Sequence, residues 1–207
     1  MDSYERFHEL LRCDFFPRLR ADGFKGSGTT FRRARSDRID VVNVQGSRSG
    51  GRCCVNLAMH FPFLPSAGGG LILNPKTLKE YDCAFRKRLH ELNESDHWWA
   101  YGTSDSEAKA SVAKLIDTYE RRSAVFFERF EPFPDVFERI TPAEIDAGDL
   151  SNMPGHFTQV LAALTMARIL NHLGQAEKCR EFAGIGLRRL GRAVGLKAEL
   201  ERLRDTS

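Results

Sequence analysis

The chain has 207 residues, 42% hydrophobic and 29% charged, which is enough apolar material for a folded core and excludes global disorder. No stretch reaches the about 18 consecutive apolar residues of a membrane span, and Asp2, Glu5, Arg6 and Glu9 fall where a secretory leader needs an apolar run, so a cytoplasmic protein is expected. The net charge of +3 resolves into +4 over residues 1–66, −5 over 67–150 and +4 over 151–207, which disfavours the single basic face that nucleic acid needs.

Tyr4, Phe7, Leu10, Leu11, Phe15 and Leu19 recur at helical spacing and predict a helix over 3–22, kinked at Pro17 or restarted near Asp14. Gly23 supplies a left-handed cap, Phe24 returns an aromatic to the core, and residues 25–28 read as a flexible turn. Three strands follow, over 29–35, 38–45 and 52–61. Short turns separate them, so the arrangement is an antiparallel meander. In the third, Cys53, Val55, Leu57, Met59 and Phe61 take one face, leaving Cys54, Asn56, Ala58 and His60 on the other.

Proline and glycine break the stretch 61–70 into an irregular crossing. Residues 81–89 fit a fourth strand and also fit a helix. A polar loop over 93–97 then leads into Trp98-Trp99. Ser104 to Glu107 is a capping box opening a long helix to about Phe130, and Thr141-Pro142-Ala143-Glu144 opens a short helix ended by Gly148. From about His156 the chain reads only as helix, broken at Gly174 and again before Gly195. Small residues at close-approach spacing make this tail resemble one tetratricopeptide-style hairpin. The expected class is α+β: a meander of about four strands packed by an N-terminal and a long central helix (1–150), with a helical tail (151–207) packed on it.

Five cysteines without a C-x-x-C support neither a zinc ribbon nor a redox pair, and no motif for a cofactor or metal is present. H-E-x-x-H, the phosphate loop and G-x-S-x-G are missing as well. Cys54 and His60 share a strand face but sit too far apart to act as nucleophile and base. The polar constellation is Asn43, Gln45, Asn56 and His60, with Arg86, Arg88 and His90 from the fourth segment. Amides, imidazole and a planar guanidinium fork together suit a carboxylate or phosphate. An ordinary solvent face, with amides satisfying loop backbone, is the competing reading. Trp98 and Trp99 suit ligand stacking or an interface anchor, or else plug the core. Adjacent to His97, they cannot all face inward.

Leu19, Gly23-Phe24-Lys25 and Phe31-Arg32-Arg33, then Val41-Val42-Asn43-Val44-Gln45-Gly46-Ser47 and Val55-Asn56-Leu57, resemble the bacterial domain-of-unknown-function family 4304. Cys83-Ala84-Phe85-Arg86-Lys87-Arg88-Leu89 and Trp98-Trp99 are similar to further segments of that family. The likeness spans about residues 4–130, with Ala58 and His90 where the family usually has glycine. It implies a fold and no chemistry. Genes of this sort sometimes sit in toxin–immunity cassettes, which implies an interaction role by analogy. The leading expectation is therefore a non-enzymatic protein that binds another protein, a toxin domain for instance, without cofactor, membrane or nucleic acid. The rival is a ligand-binding protein or enzyme using the Arg/His/Asn cluster.

Overall fold

The structure, a computed structural model, describes residues 2–66, 72–92, 94 and 96–206. Of the expected crossing, 68–70 lie outside the described residues, as do Asn93 and Ser95 of the expected polar loop. Two compact units form, one from Met1–His60 with Asn74–Glu128, the other from Phe61–Leu73 with Arg129–Ser207.

In the first unit, helix α1 (Ser3–Leu10) starts on an Asp2–Glu5 capping box. A π-helical stretch, Leu11–Phe15, joins it to α2 (Phe16–Ala21). The cause is Pro17, which has no amide hydrogen and whose ring would strike the carbonyl four residues back in a regular helix. Widening the turn has a second effect: Phe15 and Phe16, neighbours in sequence, are both buried. The helix ends in a Schellman motif, with Gly23 at φ +86° and the Phe24 amide donating to the Leu19 carbonyl at 2.9 Å.

The sheet is antiparallel, with strands β1 (Lys25–Ser27), β2 (Thr30–Ala34), β3 (Ile39–Gly46), β4 (Arg52–His60) and β5 (Phe85–Arg88) in that order. A further strand, β6 (Trp99–Ala100), pairs with the start of β4. The expected turn at 25–28 is thus an edge strand. Gly26 permits it, since a Cβ there would lie 2.3 Å from the Thr30 carbonyl oxygen. Within the stretch 81–89, Phe85–Arg88 resolves as strand, preceded by a single 3-10 turn, Glu80–Asp82.

One sheet face carries Phe31, Val42, Val44, Val55, Leu57, Met59 and Phe85, all buried. Helices cover it: Phe16 meets Phe31 at 4.8 Å between centroids. The long helix α3 (Asp105–Glu128) contributes Tyr119 against Phe15 at 5.2 Å and Phe127 against Phe24 at 5.8 Å. At one end of this face Asp40, fully buried, gathers arginines. Arg33 Nε and Nη2 donate to it at 3.0 and 2.9 Å, while Arg38 and Arg35 approach at 3.5 and 3.6 Å. The Arg33 guanidinium also lies over the rings of Phe24 and Phe127, 4.4 and 5.3 Å from their centroids.

The second unit is helical: α4 (Asp135–Glu138), α5 (Pro142–Ala147), α6 (Gln159–His172), α7 (Ala176–Arg188) and α8 (Lys197–Arg204). The Thr141–Glu144 capping box and the left-handed Gly148 bound α5 as their residue types demand. Gly174, at φ +72°, turns α6 into α7, whose packing buries Ala162, Ala163, Ala167 and Ala183 completely. Phe61, Phe133 and Phe137 form an aromatic cluster, and Phe63 stacks flat on His172 at 3.8 Å. Arg168, nearly buried, is satisfied by Glu199, with Nε donating at 2.9 Å.

Candidate functional site

Side chains alternate across a strand, so the register decides which polar groups meet on the sheet face opposite the helices. Thr30 faces Asn43, Asn43 faces Asn56, and Asn56 faces Arg88. Four strands therefore contribute one continuous polar row. The Asn43 amide donates to Thr30 Oγ1 at 3.0 Å, and the Asn56 amide donates to Asn43 Oδ1 at 3.2 Å and Gln45 Oε1 at 3.0 Å. Each such bond contributes about 1 kcal/mol net. Their larger effect is to hold the amides in one orientation.

The row ends in a denser cluster. Arg88 Nη1 donates to Asp96 Oδ1 at 2.7 Å, and Trp98 Nε1 donates to Asp96 Oδ2 at 3.1 Å. The guanidinium of Arg88 lies over the Trp98 ring, 4.9 Å from the centroid, and that of Arg52 lies over it at 5.0 Å. Partial burial disfavours the Asp96 carboxylate, but its hydrogen bonds from Arg88 and Trp98 win and hold it below the ordinary aspartate value of 3.8. Trp98 is half-buried and Arg52 exposed, so the cluster presents an aromatic ring and two cations to whatever approaches.

Of the candidates read from the sequence, Asn43, Gln45, Asn56, Arg88 and Trp98 come together here. Arg86, exposed, lies one row further along the same face, opposite Ala58. His60 shares the face but is buried, and its Nδ1 accepts the Ala84 amide at 3.2 Å. His90 lies past the end of β5, with Nδ1 held at 2.8 Å by the Glu91 carbonyl. Trp99 points to the opposite face, 2% exposed, in register with Cys53 and edge-on to His97 at 4.6 Å. One tryptophan is in the core and its neighbour on the surface, as strand alternation requires.

Sequence reasoning passed over Thr30, Arg52 and Asp96. Arg52 could have been found, since residues 52, 54 and 56 must share a face. Asp96 sits in a loop, where no periodicity points to it.

Burial pushes the Cys54 thiol up to about 11, against the pull of Arg88, and burial takes Cys53 to about 12, so neither is a thiolate at neutral pH. Among the described residues no group of three His, Cys, Asp or Glu side chains is placed to hold a metal ion, and no helix is long and apolar enough to cross a membrane. Several arginines that could have met nucleic acid are engaged internally: Arg33, Arg35 and Arg38 on Asp40, Arg188 and Arg189 on Asp146.

A family model described as a domain of unknown function (DUF4304) matches residues 15–128, more than half of the chain. No curated protein and no solved structure matches the chain.

Proposed function

The chain belongs to the DUF4304 family, a description that carries no activity, and we propose that it is a non-enzymatic binding protein that takes a protein partner at the Trp98 end of the sheet face opposite the helices. The observation that carries this reading is the Trp98 cluster: a half-buried indole under two guanidinium groups, at the end of an orientated row of amides. Tryptophan and arginine are the residue types that dominate binding energy at protein interfaces. At this end of the row Gln45 is exposed and Asn56 half-buried, held in place by the buried Asn43, and the Gln45 amide beside the Arg88 and Arg52 guanidinium groups suits backbone or carboxylate groups of a partner.

The test is a capture experiment from cells of the native host with wild type, Trp98→Ala, Arg88→Ala and, as control, Arg204→Ala. A partner retained by wild type and the control, and weakened at least about 30-fold by either site variant, supports the reading, since a hot-spot truncation costs about 2 kcal/mol or more. A partner held equally by all four proteins refutes it. If pyrophosphate or a carboxylate metabolite instead protects Trp98 fluorescence from quenching, the face serves a small ligand.

A further inference from the structure

The same sheet face holds a second feature, at the β1–β2 end and away from Trp98. Ligand pockets commonly measure about 300–1,000 Å³, and the groove here has a volume of 820 Å³. Strand register places Lys25 beside Arg32, and both line the groove from the sheet. Lys76 and Lys79 line it from the turn after Asn74. Four cationic side chains thus border one groove with no carboxylate among its lining residues. Of the acids near these cations in sequence, Asp82 accepts the backbone amide of Lys79 at 3.1 Å and Asp22 accepts the Tyr119 hydroxyl at 3.0 Å, and neither they nor Glu80 line the groove. Lys25, Lys76 and Lys79 are exposed and, among the described residues, make no ion pair.

The two walls are tied together. Arg32 Nε donates to the Leu78 carbonyl at 2.6 Å, and Leu78 is buried, so the lysine-bearing turn is anchored to β2. Such an anchor holds the charges in place before any ligand arrives, which lowers the ordering cost of binding. The rest of the lining is small: Ala34, Ile39 and Pro75 are apolar, and Ser27, Thr29 and Thr30 bring hydroxyls at the hairpin.

We propose that this groove binds a small organic phosphate, its phosphate held by Lys25, Arg32, Lys76 and Lys79 and its carbon skeleton on Ala34, Ile39 and Pro75. Four like charges around one groove repel one another unless an anion joins them, and ammonium and guanidinium groups are the usual phosphate binders. A single-stranded nucleic acid fits less well, because its bases stack on aromatic rings and none lines this groove. The site stands independently of the Trp98 cluster, so the two readings fail separately.

Titration calorimetry of the full chain with pyrophosphate tests it, at low ionic strength and with Lys25→Glu/Lys76→Glu and Trp98→Ala in parallel. The expected result is saturable one-to-one binding, at least about tenfold weaker in the double charge reversal and unchanged in Trp98→Ala. Lys79→Gln, a single exposed substitution, should weaken binding about threefold and serves if the double variant melts early. Absence of saturable binding overturns the proposal. So do equal affinities in all variants, loss in Trp98→Ala alone, or tighter binding of a single-stranded oligonucleotide through the same lysines.

Discussion

Replacing Arg33 by methionine removes a guanidinium from a fully buried carboxylate while keeping an apolar stem of similar length against Phe24 and Phe127. Asp40 has no exposed surface, and Arg33 supplies its two shortest contacts, at 2.9 and 3.0 Å. At about 3–4 Å and an effective dielectric near 20, each close charge pair is worth about 4–5 kcal/mol before desolvation. Removing one partner of a buried pair costs about 3–5 kcal/mol, because the other charge is left in the interior. Urea denaturation at pH 7 should therefore show Arg33→Met destabilised by about that much. Burial already holds the Asp40 pKa above the ordinary 3.8, with Arg33 the strongest pull in the other direction. Losing Arg33 raises it further. A carboxyl raised in the folded state favours folding while protonated and opposes it once ionised, so the deficit should be full at neutral pH and shrink as pH falls through the folded value toward 3.8. Arg33→Met/Asp40→Leu, which removes both charges, should recover most of the loss. A deficit below about 1 kcal/mol, or one that is constant between pH 7 and 4 and not relieved in the double variant, refutes the reasoning.

Cys13 is exposed and the other four cysteines are buried, so a thiol reagent should titrate one cysteine in the folded protein and five in denaturant. More than one fast-reacting thiol under native conditions contradicts the packing. Trp99 buries its indole N–H without a partner, so Trp99→Phe should cost under about 2 kcal/mol where Trp99→Ala costs about 3–5, by chemical denaturation. In the Trp99→Phe protein the remaining emission comes from Trp98, and because Asp96 ionises below 3.8, an acid titration should change it with a midpoint under that value. Gly102 sits at φ +78°, and a Cβ there would lie 2.7 Å from the Ala108 amide nitrogen. Gly102→Ala should therefore lower stability by at least about 2 kcal/mol, and an unchanged melting temperature would contradict the turn geometry.

The meander was legible because alternation and short turns are local signals. The strands at 30–34, 39–46 and 52–60 fall within a residue or so of their expected ends. Capping boxes marked the starts of α3 and α5, and cap glycines the ends of α2 and α5, for the same reason. What local pattern could not supply was convergence. Arg33, Arg35 and Arg38 read as a run of charge, and only the pairing of Arg33 with Asp40 across β2 and β3 turns them into a buried cluster. Phe61 and Phe133 meet across a long loop of sequence, and periodicity carries no information about such a closure. The candidate site was half legible. Alternation put Asn43, Gln45 and Asn56 on one face, whereas His60 and His90 were claimed by neighbouring backbone, which depends on where the flanking loops turn.

The two short strands after β4 do not continue one another: β5 runs beside residues 56–59 and β6 beside 52–53. The chain leaves that edge after Arg88 and returns at Trp99, so each landing is fixed by its own ladder. Insertions or deletions within the excursion would shift neither register, and doubling its length costs only about 0.6 kcal/mol of closure entropy. Asp96 and Trp98 ride on this excursion, while the amide row they complete belongs to the ladder. The recognition surface thus joins a part set by the sheet to a part set by a loop, and the loop can change length without redesigning the sheet that carries it.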